Sequence, residues 1–212
     1  MTDANPGAAR EAILEAIRAA LADRPAEVSI PRDYETALPP STDLVARFVD
    51  RVDDYRATIE RTTVDQLPNV IATTLATHGA RRIAAPAGVP AAWFGATDVE
   101  RIRDEPPLVH AELDKLDGTL TGCAVAVAET GTIVLDAGPD QGRRVLSLLP
   151  DLHVCVVRVD QVVGTVPEAL GRLDARRPQT WISGPSATSD IELQRVEGVH
   201  GPRRLAVILV DG

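Results

Sequence analysis

The stretch CAVAVAETGTIVLD, residues 123–136, decides the reading of the fold. Residues 123–128 are uncharged and alternate valine with small side chains, the composition of a strand buried among other elements. Glu129-Thr130-Gly131 interrupts the run, and Ile133 to Asp136 resumes it. A short connection with glycine last predicts a hairpin with a bulge, or else one kinked strand. Toward the C-terminus, residues 143–149 read as a helix stopped by Pro150, 153–159 as a strand, and 167–174 as a helix. Residues 180–183 read as a strand and 205–210 as the last one. Toward the N-terminus, 110–116 is a helical turn, 90–94 starts another helix, and 82–85 is a short strand running into Pro86. Residues 66–77 are helical, with Gly79 placed as a stop. Strands alternating with helices predict an α/β fold: a layered, largely parallel sheet flanked by helices.

Before this domain the pattern is helical. Ile13, Ile17 and Leu21 recur beside Leu14, predicting a helix over 8–22. Residues 23–41 hold Pro25, Pro31, Pro39 and Pro40 and have no sustained period, so they read as a linker. A second helix is expected over 42–61, where Leu44, Phe48, Val52, Tyr55 and Ile59 form an apolar stripe. The expected division is therefore 1–41, an N-terminal helix and proline-containing linker, and 42–212, the main domain including that helix.

The chain has 212 residues, 44% hydrophobic and 3% aromatic, with a net charge of −9. The acidic balance argues against broad nucleic-acid binding, which needs clustered Lys and Arg to neutralise phosphates. Lys115 is the sole lysine, which excludes a phosphate loop ending in Gly-Lys-Ser/Thr and leaves only Lys115 for Schiff-base chemistry. Cys123 and Cys155 sit far apart inside apolar runs and read as small core residues; they are too few to hold a zinc ion or an iron–sulfur cluster. No run of about 18 apolar residues exists to span a membrane. The opening MTDANPGAAREA has no secretory pattern, so a cytoplasmic location is expected.

Three segments at strand ends carry the candidate chemistry, the position where open α/β sheets bind ligands. In the first, Glu129 stands between a strand of small apolar residues and a glycine, with Thr130 and Gly131 beside it. It reads as a base or nucleophile, or as a turn acid facing water. In the second, a strand reaches Ser183 and turns through Gly184-Pro185 into Ser186, Thr188, Ser189 and Asp190. Ser189 and Glu192 fit a capping box, while Ser183, Ser186 and Thr188 crowd the same turn as an anion site would require. In the third, His200 lies between glycines and suits proton transfer near neutral pH. A Ser186–His200–Asp190 triad lacks the Gly-x-Ser-x-Gly elbow that would support it. Arg143 and Arg144 are placed to pair with an anion or with Glu129. His78, His110 and His153 show no ligand spacing and are set aside.

Glu129-Thr130-Gly131-Thr132, Gly142-Arg143 with Ser147-Leu148-Leu149-Pro150, Ser183-Gly184-Pro185-Ser186 with Thr188 and Asp190-Ile191-Glu192, and Gly198-Val199-His200-Gly201-Pro202 occur in that order. This ordered set resembles the LUD-domain proteins, the lactate-utilisation type (LutC/YkgG), over about residues 45–210. The resemblance implies a fold related to the NagB/RpiA/CoA-transferase group, with an N-terminal helical extension. It also implies a place in a system oxidising L-lactate to pyruvate, beside a ferredoxin-like LUD protein that carries cysteine-ligated iron–sulfur clusters and other lactate-utilisation subunits. This chain, without such cysteines, matches the short member with no cofactor of its own. The competing expectation is a self-sufficient CoA-transferase-like or sugar-phosphate-isomerase-like enzyme, since Glu129-Thr130-Gly131 is weakly similar to the nucleophile turn of CoA-transferases. Under either, the expected site gathers Glu129 and His200 with Thr130, Gly131, Arg143, Ser183, Gly184, Ser186, Thr188 and Asp190 around a small carboxylate or phosphate.

Overall fold

The computed structural model describes residues 6–22, 28–188, 196–197 and 200–212. Two compact units are present, Met1–Tyr34 and Glu35–Gly212. The first contains α1 (Pro6–Ala20), the helix expected over 8–22.

The second opens with α2 (Leu44–Asp54), whose first turn is capped by the Asp43 carboxylate accepting from the Ala46 N–H at 3.0 Å. Phe48 and Val52 are buried. The helix expected over 42–61 stops seven residues early. Arg56 adopts a left-handed φ of 63°, and Thr58–Thr63 becomes a strand, β1. Helical spacing from Val52 to Ile59 had suggested continuation. The β-branched run at Thr58, Ile59, Thr62 and Thr63 instead favours extended backbone, and pairing along its whole length secures it. Tyr55, expected in the buried stripe, is 40% exposed at the helix end.

Then follow α3 (Leu67–Thr77), β2 (Arg82–Ala85), β3 (Glu100–Arg103), α4 (His110–Leu113), β4 (Gly118–Thr121), β5 (Val125–Val127) and β6 (Thr132–Leu135). The rest comprises β7 (Leu152–Arg158), β8 (Val162–Val163), α5 (Val166–Arg172), β9 (Thr180–Ile182), β10 (Ala187–Thr188), β11 (Val196–Glu197) and β12 (Arg204–Asp211). Residues 91–94 and 144–147, expected helical, form single tight 3-10 turns. The main sheet has six strands in the order β1-β12-β7-β4-β2-β3, and every pair in it is parallel. The expectation of a largely parallel sheet holds, although β3 and β4 were not anticipated: Glu100-Arg-Ile-Arg and Gly118-Thr-Leu-Thr are too polar or too short to signal strands.

Alternation along β7 and β12 sorts their side chains into two cores. Leu152, Val154, Val156, Ala206, Ile208 and Val210 pack with Ile71 and Leu75 of α3. Cys155, Val157, Val207 and Leu209 pack with Phe48 and Val52 of α2. That second core is shared with a four-stranded sheet, order β8-β5-β6-β9. The 123–136 stretch supplies its centre: β5 and β6 form the expected antiparallel hairpin, with Val127 opposite Thr132. Ala126, Ala128, Ile133 and Leu135 face α2, while Val125, Val127 and Val134 face Ala169 of α5. The layers run α3, parallel sheet, α2 with the mixed sheet, then α5.

Candidate functional site

A cleft of about 500 Å³ opens where the amino ends of β7 and β12 meet β9 and the turn after it. The sequence pointed to the ends where strands finish; the cleft does take in the turn after β9, but in the main sheet it borders His153 and Leu205, the second residues of β7 and β12 and so the starts of those strands. Trp181, Ile182, Pro185 and Leu148 give it apolar walls, and Ser183, Gly184, Ser186 and His200 form much of the rim. Four residues proposed from sequence thus come together. A second opening of about 580 Å³ shares His200 and Gly201 and continues past Asp114, Asp151 and Arg203.

The rim is held by backbone and hydroxyl bonds. The Ser186 N–H donates to the Pro202 carbonyl at 2.8 Å, and the His200 N–H donates to Ser186 Oγ at 3.1 Å. These two bonds tie the segment after β9 to the segment before β12. Because Ser186 Oγ accepts from His200, its own proton remains available to a ligand. Ser183 Oγ lies 2.8 Å from Thr132 Oγ1, which lies 2.7 Å from Thr130 Oγ1. A chain of hydroxyls therefore runs from the cleft rim to the β5–β6 turn.

The other proposed residues sit elsewhere. Glu129 is exposed in that turn, where its N–H donates to the Gly164 carbonyl, and it is not among the residues bordering the cleft. Gly131, at φ 59°, would place a Cβ 2.9 Å from the Arg51 backbone of α2. Gly184, at φ 82°, would place one 2.5 Å from Tyr55 Cβ. Both glycines let a turn lie directly on the end of α2. Arg143 grips Asp104 in a bidentate pair, at 2.5 and 2.7 Å, and also donates to the Leu108 carbonyl. Against the penalty of burial, the Arg143 guanidinium and the Leu108 N–H, which donates to Asp104 Oδ1 at 2.9 Å, hold the Asp104 carboxyl below its ordinary value. Arg143 borders a separate opening of about 390 Å³ beside Pro86 and Pro139. Its neighbour Arg144 borders the cleft instead and has no ion pair among the described residues. Thr188 belongs by backbone to β10, paired with β11; Asp190 and the Ser189–Glu192 capping box lie outside the described residues.

One cleft residue was set aside in the sequence. His153 is only 1% exposed yet forms part of the cleft floor. Its Nε2 is 2.8 Å from Thr121 Oγ1 of β4. Burial pushes its pKa down to about 4, so the ring is neutral at physiological pH. Ligand spacing was the wrong test for it; its place in a β7 run that is otherwise apolar, with the parity of Cys155, was the available signal. Beside it, Cys123 and Cys155 are both buried and free. A hydrogen bond with Cys155, together with burial, pushes the Cys123 thiol well above its ordinary value. Among the described residues no group of three or more His, Cys, Asp or Glu is arranged to hold a metal ion.

Fold and cleft together define an α/β protein with a parallel six-stranded sheet, a second mixed sheet, and a hydroxyl- and histidine-lined cleft between them. Residues 91–210 match the LUD domain family, and the chain belongs to that family. It is 56% identical over 172 residues to lactate utilization protein C of Deinococcus radiodurans, covering 79% of this chain and 80% of that protein. It is 28% identical over 186 residues to lactate utilization protein C of Halalkalibacterium halodurans, covering 81% and 80%. A crystal structure of a DUF162 family protein from Deinococcus radiodurans aligns with a TM-score of 0.68 at 50% identity, over 79% of this chain and 96% of that one.

Proposed function

We propose that this chain is the C component of an L-lactate utilisation system, acting in the cytoplasm with a ferredoxin-like iron–sulfur LUD protein in the oxidation of L-lactate to pyruvate. The observation that carries this reading is the 56% identity to a lactate utilization protein C across four-fifths of both chains. Among the described residues no helix is long and apolar enough to cross a membrane. The redox centres belong to the partner, since this chain's thiols are two and buried. A fold relation to the NagB/RpiA/CoA-transferase group accompanies the proposal, supported by the wholly parallel main sheet.

Within that role, the cleft takes a small carboxylate. Ser183, Gly184 and Ser186 supply the rim with Thr188 and Asp190 following in the chain, and His200 handles a proton. Thr130 reaches the rim from the neighbouring turn through the hydroxyl chain, with Glu129 and Gly131 beside it in that turn; Arg144 is the cation at the cleft, and Arg143, next to it in the chain, is held by Asp104. Deleting the gene and growing cells on L-lactate as sole carbon source tests the role. Growth should fail and return with the wild-type chain, and the tagged chain should co-purify with an iron-containing partner. Normal growth of the deletion strain on L-lactate would refute the proposal.

A further inference from the structure

The helix of the first unit carries a line of aliphatic side chains that stand in water. Ile13 and Ile17 of α1 are 60% and 48% exposed. Leu21 is 59% exposed, and its N–H, donating to the Ile17 carbonyl at 3.1 Å, carries the helical bonding one residue past Ala20. With the partly buried Leu14 these residues recur at three- and four-residue steps, so they share one face. Arg10 closes that stripe at its amino end. At 3.6 residues per turn, Ala9, Ala16 and Ala20 fall along one flank of the stripe, and Glu11 and Arg18 along the other. A continuous exposed apolar stripe rimmed by charge on one side marks a contact surface.

The charges on α1 indicate what covers it. A lipid surface calls for an excess of basic residues on the polar face, whereas α1 carries two arginines and two glutamates and so no net charge. Those charges complement a reversed copy of the same helix. When two copies lie antiparallel about a two-fold axis, each flank meets the same flank of the other copy. With the axis crossing between Leu14 and Glu15, close to the middle of the helix, Glu11 of each chain comes level with Arg18 of the other. Two opposite-charge pairs form on that side, and the alanine flanks meet on the other, where they permit close approach. A parallel pair would set the charged flank against the alanine flank and leave Glu11 and Arg18 without each other. We propose that α1 is a dimerisation helix, which pairs antiparallel with α1 of a second copy of this chain through Leu14, Ile17 and Leu21 with Ile13 beside them. The helix is only about 22 Å long, so the contact is smaller than a standard stable interface and the dimer is reversible. This pairing is independent of the lactate reading of the cleft.

Sedimentation equilibrium of the full chain at low salt, over micromolar to submillimolar concentrations, tests the pairing. The wild type should show a reversible monomer–dimer equilibrium, and Ile17→Asp should abolish the dimer. Charge reversals separate loss of pairing from loss of the helix, which circular dichroism checks in every variant. Glu11→Arg alone and Arg18→Glu alone each replace both opposite-charge pairs by like-charge pairs and should weaken the dimer at least about fivefold. The double variant recreates both pairs with the signs exchanged and should return to within about twofold of the wild type. A wild type that stays monomeric throughout overturns the inference. So does a dimer indifferent to Ile17→Asp, or a double variant as weak as the single ones. A monomer that cosediments with phosphatidylglycerol vesicles also overturns it, by assigning the stripe to a lipid surface.

Discussion

The buried histidine makes a quantitative prediction about stability. His153 has an ordinary pKa of 6.5 in the unfolded chain and about 4 in the fold, because burial disfavours the imidazolium. Between those values the unfolded state binds a proton that the folded state refuses, so stability rises with pH across the window and falls as the solution is acidified through it. The full separation corresponds to about 3 kcal/mol, of which about 2.5 kcal/mol falls between pH 7.5 and pH 4.5. The carboxylates do not share this window. Asp104 and Asp151 are both held below 3.8, by Arg143 and by Arg203 with Arg204, against the opposing effect of burial. Their contribution is present above the unfolded value and is lost only at more acid pH. His78 is lowered too, by burial and Arg204, and acts in the same direction as His153.

Urea unfolding of the wild type and His153→Gln at both pH values separates the two histidines. The variant keeps His78 and every carboxylate, so subtracting its pH dependence leaves that of His153. The wild type should lose about 2.5 kcal/mol more than the variant on going from pH 7.5 to pH 4.5. Its midpoint should shift by about 1 M urea at an ordinary slope for a domain of this size. Equal pH dependence in the two proteins would mean that the imidazole is solvated in the fold, and the argument for a neutral ring under the cleft would fail with it.

Phe48→Ala removes a side chain with no exposed surface from the core shared by α2 and both sheets and should cost about 3–5 kcal/mol, read by urea unfolding. Gly184→Ala should destabilise by more than about 1 kcal/mol, because the left-handed φ of 82° and the contact with Tyr55 are both unfavourable to a Cβ; a Tyr55→Ala background should recover only the steric share. Asp104→Asn weakens the bidentate grip on Arg143, whose side chain is 38% exposed, and should cost about 1–2 kcal/mol after allowance for that exposure; an unchanged melting temperature would refute the pairing.

The order of elements was legible because burial on each strand face leaves a pattern in the apolar residues. The 123–136 hairpin, β7 and β12 follow it closely. Failure came where pairing, rather than local pattern, decides conformation. Thr58–Thr63 carries one partly buried and one buried position in six, too little for period-two reading, and its helical register with α2 was accidental. Pairing with β12 along that length gives it a structure that its own sequence does not announce. In the same way β4 exposes nothing, so its Gly-Thr-Leu-Thr sequence gives no alternation to detect. For the site, hydroxyls and glycines in turns were conspicuous, and Ser183, Ser186 and His200 do border one cleft. His153 was not conspicuous, because a single histidine in an apolar strand has no spacing to recognise.

The motif residues and the cleft residues divide the work differently from what their sequence prominence suggests. Gly131 and Gly184, the glycines of two conspicuous turns, both abut α2, at Arg51 and Tyr55. Arg143 is occupied with Asp104 and Leu108. These residues fix where the β5–β6 turn, the segment after β9 and the 3-10 turn at 144–147 lie on the scaffold. Among the described residues, the groups left with unspent hydrogen-bonding capacity at the cleft are less prominent ones: Arg144, one position on from Arg143, and the proton of Ser186. A turn glycine that only glycine can fill and a side chain that meets a ligand are both intolerant of substitution, but for different physical reasons. Substituting the first shifts a wall of the cleft and lowers stability; substituting the second leaves the fold in place and changes what binds. Comparing unfolding free energies with carboxylate affinities for Gly184→Ala and Ser186→Ala would separate the two roles. The glycine variant should lose stability. The serine variant should lose less stability, only the share of the exposed bond from the His200 N–H, and about 1.5–3 kcal/mol of binding, the value of one hydrogen bond to a charged group.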